Sequence, residues 1–231
     1  MGRETKIIVT GDGSHSLYLP HLNETYHSSH GALTESKHVF IEAGLNHWLK
    51  NEGGDTLKVL EVGFGTGLNA FLALDFATKA EVNVEFTSLE PFPLDEEIYS
   101  QLNYTENLGP RATEVFLQLH QAPWDQVIPI SNHFRLHKVL GKLEEFETET
   151  QFDVVFFDAF APSKQAELWE YDILAKTVGL MAAKAVLATY CAKGQFKRDL
   201  TALGLQVETL PGPPGKKEMV RATTNEGFIR T

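Results

Sequence analysis

Leu57-Lys58-Val59-Leu60-Glu61-Val62-Gly63-Phe64-Gly65-Thr66-Gly67 decides the fold. An apolar run ends in an acid, three glycines follow at alternate positions, and Leu68 to Thr78 then reads as an uninterrupted helix former. A buried parallel strand that turns on glycine into a helix is the nucleotide-binding start of an α/β fold. The spacing E-x-G-x-G-x-G differs from the dinucleotide fingerprint G-x-G-x-x-G, whose third glycine comes one residue later. Glu61 at the strand tip repels a pyrophosphate but welcomes an amino group. Three alternating glycines are entropically costly unless something must approach the backbone, so a bare strand-to-helix turn is the weaker reading. The chemistry suits the methionyl end of S-adenosylmethionine, which carries an ammonium and no phosphate.

Working outward, Lys6–Thr10 and Ser16–Leu19 read as strands around Gly11-Asp12-Gly13, and Lys37–Lys50 as a helix closed by Gly53-Gly54. Strands are then expected at Leu57–Val62, Asn83–Leu89, Phe134–Val139, Phe152–Phe157, Ala185–Tyr190 and Leu205–Leu210. The expected helices are Leu68–Thr78, Leu94–Asn103, Thr113–Gln121, Gln165–Met181 and Phe196–Leu203. After the breaker Pro211-Gly212-Pro213-Pro214-Gly215, a last strand, Glu218–Thr223, returns antiparallel. This alternation predicts an α/β, Rossmann-like sheet of seven strands with one reversed, the outline of S-adenosylmethionine-dependent methyltransferases. Residues 1–54 form a β-rich and helical extension packed on a catalytic domain at 55–231.

The 231 residues fit one such domain with its extension, and 42% apolar and 22% charged content describe an ordinary globular chain. No apolar run approaches the ~20 residues of a membrane span. Met1-Gly2 lacks a myristoylation context because Lys6 stands where Ser or Thr is needed. The single cysteine, Cys191, excludes an internal disulfide and fits a reducing cytoplasm. A net charge of −11 argues against a nucleic-acid partner, but its distribution is uneven. From Lys184 onward eight basic residues face four acidic ones, a local +4 that leaves −15 for the rest. Either this basic stretch holds a few phosphates or it is solvated surface.

Ligands of open α/β sheets bind beyond the carboxyl ends of the strands. Glu90 ends the second strand of the main sheet, where two acceptor oxygens suit the cis-diol of a ribose; the alternative is capping of the next helix. Asp158 follows the apolar run Val154-Val155-Phe156-Phe157 and would face the reactive end of the cofactor, orienting or deprotonating an amine, or would cap the turn before Pro162. Aromatics cluster at these tips: Phe92, Phe160, Trp169 and Tyr190, with Tyr26 in the extension. Such faces stack a planar base, though Trp169, one helical turn from Ile173, fits core packing equally well. Six histidines lie in the first fifty residues without metal-ligand spacing, so no metal is expected.

Three blocks in order carry a resemblance: Glu61 to Asn69, Ser88-Leu89-Glu90-Pro91-Phe92-Pro93-Leu94, and Asp158-Ala159-Phe160-Ala161-Pro162-Ser163-Lys164. Leu168-Trp169, Leu187-Ala188-Thr189-Tyr190 and Gly215-Lys216-Lys217-Glu218-Met219 follow, and Tyr26 to Ser36 precedes them. Over nearly its whole length the chain resembles the methyltransferase part of the bacterial tRNA 5-methylaminomethyl-2-thiouridine biosynthesis protein. The resemblance implies methyl transfer from S-adenosylmethionine to the amine of 5-aminomethyl(-2-thio)uridine at the tRNA wobble position. It implies cofactor contacts from Glu61, Gly63, Phe64, Gly65, Gly67, Asn69, Glu90, Pro91 and Asp158, with Asp158 also holding the amine. The uracil is expected near Tyr26, Phe160 and Tyr190, and the phosphates on Lys193, Lys197, Arg198, Lys216 and Lys217. Several members carry a C-terminal flavin-dependent oxidase, for which this sequence has no room. Another departure is Leu140-Gly141-Lys142-Leu143, where the family has Gly-Asp: Lys142 cannot accept the adenine amino proton. The competing reading is an aminopropyltransferase resembling spermidine synthase, supported by Tyr26-His27 but lacking the second acid of its catalytic loop. A non-catalytic RNA-binding module is opposed by the intact Glu61, glycines, Glu90 and Asp158.

Overall fold

The computed structural model describes residues 4–106 and 108–228, so the Met1-Gly2 reading and Arg230 of the basic stretch lie outside the described residues. The extension opens with a small antiparallel sheet of β1 (Lys6–Val9), β2 (His15–Leu19) and β3 (Glu24–Thr25). Helix α1 follows, as Ala32–Ser36, wider π turns over Lys37–Asn46, and His47–Asn51. Its N-terminus is capped from a distance: the Asp12 carboxylate accepts the Thr34 backbone N–H at 2.9 Å and its hydroxyl at 2.8 Å. Burial alone would raise the Asp12 carboxyl, but these bonds and those from Ser14 outweigh it and hold it well below the usual carboxylate range.

The main sheet contains β4 (Thr56–Val62), β5 (Asn83–Glu90), β6 (Gln126–Ser131), β7 (Phe134–Leu140), β8 (Phe152–Phe157), β9 (Met181–Thr189), β10 (Gln206–Pro211) and β11 (Glu218–Thr223). Their order is β10-β11-β9-β8-β4-β5-β7-β6. Strands β9, β8, β4, β5 and β7 run parallel, and β11 is reversed between β9 and β10. The helices are α2 (Leu68–Ala80), α3 (Glu96–Tyr99), α4 (Pro110–Gln121), α5 (Tyr171–Gly179) and α6 (Gly194–Ala202).

The eighth strand corrects the expected seven. β6 pairs antiparallel with β7 at the sheet edge, with a register irregularity between Pro129 and Ser131. A proline is tolerated there because an edge strand can spend its missing N–H on the solvent side. The expected helix Gln165–Met181 is broken: Ala166–Trp169 forms a tight 3₁₀ turn, Glu170 is extended at ψ 151°, and Met181 already belongs to β9. Leu94–Asn103 contracts to the single turn of α3.

Alternation along β8 shows why the sheet is covered on both faces. Val154 and Phe156 enter one core with Phe40 and Val39 of α1, and Val155 and Phe157 enter another with Trp169, Leu174 and Phe196. Gly44 lets α1 lie against the sheet, since a Cβ there would stand 3.2 Å from the Phe156 ring. The extension thereby shares its core with the catalytic sheet. It also brings its loop before α1 over the carboxyl ends of β4 and β8.

Candidate active site

Strand β4 ends at a turn that only glycine accommodates cheaply. Gly63, Gly65 and Gly67 have φ of 98°, 51° and 72°. Neighbours also crowd them: a Cβ on Gly63 would lie 3.2 Å from the Asp158 carbonyl, and one on Gly65 3.1 Å from the Tyr26 ring. The Gly63 and Phe64 amides both donate to the Leu89 carbonyl, at 3.0 and 3.2 Å, tying the turn to the tip of β5. At that tip the Glu90 carboxylate accepts the Gly65 N–H at 2.9 Å and the Phe92 N–H at 2.8 Å. Glu90 therefore braces the turn with a carboxylate, the group whose two acceptor oxygens match a diol.

Above this turn opens a cavity of about 660 Å³, within the size range of small-molecule sites. Gly63, Phe64, Gly65, Asn69, Glu90, Pro91 and Leu143 line it. Lys142 lines it too, as an exposed side chain, and the Gly141 amide donates to the Glu90 carbonyl at 3.3 Å. Tyr26, Asp158, Phe160 and Tyr190 also line the cavity, together with Glu35 and Lys216. Tyr26 meets Phe160 edge-on at 5.1 Å between ring centroids, and the Tyr190 hydroxyl donates to the Ala159 carbonyl at 2.8 Å. Trp169 is core: it is buried against Phe157 and Phe196, its indole N–H donating to the Phe160 carbonyl at 2.8 Å.

Three polar side chains stand at this wall or just behind it. Asn69, first turn of α2, donates to Asp158 Oδ2 at 2.9 Å and leaves its buried Oδ1 without a partner. Glu61 lies behind the turn and not on the cavity wall. It is 1% exposed, one oxygen accepting the Ser88 hydroxyl at 2.5 Å and the other, Oε1, unpartnered. Burial pushes its carboxyl well above the usual range, with Asp158 and Glu90 adding repulsion. Asp158 is pushed up to about 7, first by burial and then by the negative Glu35, against the bond from Asn69 and the charge of Lys216. Orphaned acceptors on Asn69 and Glu61, a carboxylate poised near neutrality and backbone laid bare by glycine fit the ammonium and ribose of S-adenosylmethionine.

Of the residues expected at the site, the cavity brings together Gly63, Phe64, Gly65, Asn69, Glu90, Pro91, Asp158, Tyr26, Phe160, Tyr190 and Lys216. It does not include Glu61, which is buried behind the turn, nor Gly67, Lys193, Lys197, Arg198 or Lys217. Lys193, Arg198 and Lys217 are exposed, while Lys197 reaches Glu218 at 3.6 Å and Thr209 at 3.3 Å. Lys216 turns inward, pairing with Glu35 and lying 4.2 Å over the Tyr190 ring. Glu35 gives no signal in the sequence because an acid in the first turn of a helix is common; its burial, at 5% exposure, is a tertiary fact. Among the described residues no helix is long and apolar enough to cross a membrane, and no group of three metal-binding side chains converges.

Residues 116–225 match a family described as S-adenosyl-L-methionine-dependent methyltransferase. The chain is 30% identical over 93% of its length to the tRNA 5-methylaminomethyl-2-thiouridine biosynthesis bifunctional protein MnmC of Cupriavidus metallidurans. To the same-named protein of Aromatoleum aromaticum it is 32% identical over 86% of its length. It covers 33% and 32% of those proteins, so it spans about a third of the curated relatives it matches. The crystal structure of MnmC2 from Aquifex aeolicus superposes with a TM-score of 0.75 at 26% identity, covering 98% of this chain and 72% of that one. The chain is an S-adenosylmethionine-dependent methyltransferase related to the bifunctional MnmC proteins.

Proposed function

We propose that this methyltransferase acts on the primary amine of 5-aminomethyl(-2-thio)uridine at the wobble position of tRNA, in the cytoplasm. The observation that carries the reading is the cavity wall, in which Asp158 stands beside the glycine turn together with the aromatic rings of Tyr26, Phe160 and Tyr190 and the charged Glu35 and Lys216. The bifunctional relatives, named for tRNA 5-methylaminomethyl-2-thiouridine biosynthesis, supply the substrate class.

When bound, S-adenosylmethionine supplies an electrophilic methyl group on a sulfonium. The residues of the chain do the rest. Glu90, fixed by the Gly65 and Phe92 amides, orients the ribose, while Asn69, held by Asp158, receives the amino end. Asp158 takes the proton that an arriving alkylammonium must lose before its nitrogen can attack. A carboxyl poised at about 7 suits that task. Tyr26, Phe160 and Tyr190 flank the space for a splayed base. Placing the amine in line and excluding water supply most of the acceleration. Lys193, Lys197, Arg198 and Lys217 lie outside the cavity, where an anticodon backbone would run. The test is mass spectrometry of wobble nucleosides from tRNA carrying the amine, incubated with protein and cofactor. A gain of one methyl on the amine supports the reading, and unchanged nucleosides reject it.

A further inference from the structure

Glu35 and Lys216 reach the cavity from opposite ends of the chain. Glu35 comes from the first turn of α1, and Lys216 from the loop between β10 and β11. One Glu35 oxygen accepts the Ser28 amide at 2.6 Å and the other is paired with the Lys216 ammonium. That ammonium also lies 4.2 Å over the face of Tyr190, whose own hydroxyl is committed to the Ala159 carbonyl. A carboxylate facing an aromatic ring is a recognition site for an alkylammonium, because the ring quadrupole and the anion act on the same cation. The Glu35 carboxylate is buried, whereas the Lys216 side chain is 30% exposed, so the anion is fixed in the wall and the cation can leave. A buried ion pair adds little net stability once desolvation is counted, so folding alone gives this one little reason to exist.

We propose that the space between Glu35 and the Tyr190 ring is the seat of the acceptor's alkylammonium, and that Lys216 fills it as an internal stand-in until the acceptor displaces it. The proposal rests on the reading of the acceptor as an amine and adds the residues that recognise its charge. Displacement leaves the charge of the seat unchanged, one cation for another, with Asp158 on the same wall to receive the proton afterwards. It also makes Lys216 a competitor of the substrate and not its ligand. A seat open a tenth of the time weakens apparent affinity about tenfold.

The sign of one substitution decides the matter. Binding of free 5-aminomethyluridine and of its neutral counterpart 5-hydroxymethyluridine is measured by calorimetry in the presence of S-adenosylhomocysteine. Lys216→Met should tighten binding of the amine several-fold and leave the alcohol unchanged. Glu35→Gln should abolish the preference of the native protein for amine over alcohol. Weaker or unchanged amine binding by Lys216→Met overturns the proposal, as does a preference that survives Glu35→Gln. Because Lys216 is partly exposed, its variant folds with little risk, and because the readout is binding, the outcome is independent of whether tRNA is methylated. A chain that seats the amine as described yet leaves tRNA unmodified refutes the tRNA reading and not this one.

Discussion

His120 Nε2 lies 3.0 Å from the Thr66 carbonyl, so the middle of the glycine turn is held by a helix that does not line the cavity. A carbonyl only accepts, which assigns the proton to Nε2. The ring is fixed by stacking on Tyr99 at 4.2 Å and 11°, and burial pushes its pKa down to about 4, so it is neutral at physiological pH. Behind it, the buried Lys138 donates to the His120 carbonyl near the C-terminus of α4, with Trp124 at 4.4 Å and Phe64 at 5.2 Å on its cation. A cation at a helix C-terminus is favourable, and the aromatic faces offset part of its desolvation.

This brace predicts a difference between two amide substitutions. Glutamine places an N–H where Nε2 stands and asparagine does not reach it, while both lose the stacking. His120→Asn should bind S-adenosylhomocysteine about three- to tenfold more weakly than His120→Gln, the worth of one hydrogen bond. Turnover at saturating cofactor should be nearly equal for the two. Equal affinities would assign His120 to packing alone.

Gly65 gives the second prediction. Its φ of 51°, and Tyr26 ring carbons 3.1 Å from where a Cβ would stand, leave an alanine no relaxed place. Gly65→Ala should displace Tyr26 or tilt the turn away from Glu90, weakening cofactor binding at least tenfold while the far-ultraviolet dichroism of the fold persists. Tyr26→Ala combined with Gly65→Ala should recover part of the loss, since it removes the clash but not the strain. No recovery would place the whole effect in the backbone.

Much of this architecture was legible because the signals were local. The run Val154 to Phe157 and the turn Gly63 to Gly67 announce buried strand and ligand-bearing turn within a few residues, and β8 and β11 begin and end where periodicity places them. What was lost depended on partners far along the chain. Strand β6 hides behind Pro129, which a single-sequence reading treats as a breaker and an edge position forgives. Glu170 splits an otherwise continuous helical pattern, because Trp169 turns into the core to reach the Phe160 carbonyl. Lys216 reads as one of a basic pair with Lys217, yet the loop sends one inward and the other to solvent. Nothing in the local sequence distinguishes them.

Asp158 links pH to both rate and stability. In the proposed role of proton acceptor it must be ionised, so kcat/KM should rise with pH through about 7, and Asp158→Asn should remove that limb with a loss of roughly 10²–10⁴ in turnover. The stability effect has the opposite sign. The folded pKa is raised above the unfolded value of 3.8, so the stabilising contribution is full below that value and is lost as pH rises to about 7. Above pH 7 the native protein carries the cost of a buried carboxylate that asparagine avoids. Asp158→Asn should therefore melt at least about 2 °C higher at pH 8, with the difference closing toward pH 4. An asparagine variant less stable than the native protein at pH 8 would mean that the carboxylate holds the fold together.

The inward turn of Lys216 also makes a prediction about RNA. On the proposed tRNA substrate, an acidic chain would meet the RNA through a restricted face and neutralise few phosphates; with about 3–5 contacts log K should fall against log salt with a slope of roughly −2 to −5. Among the described residues, Lys193, Arg198 and Lys217 are the exposed cations of the basic stretch, whereas the charge of Lys216 is spent on Glu35 inside the cavity. Lys217→Ala should make the slope shallower by about 0.7–0.9, one contact's worth, and Lys193→Ala should do the same. Lys216→Ala should leave the slope unchanged while altering the affinity for the amine-bearing nucleoside. Binding titrations of each variant across a salt series separate the two roles, because counterion release registers only the charges that meet phosphate. A slope that changes for Lys216→Ala and not for Lys217→Ala would reverse the assignment: the inward lysine would then be the phosphate ligand, reaching RNA across the cavity mouth.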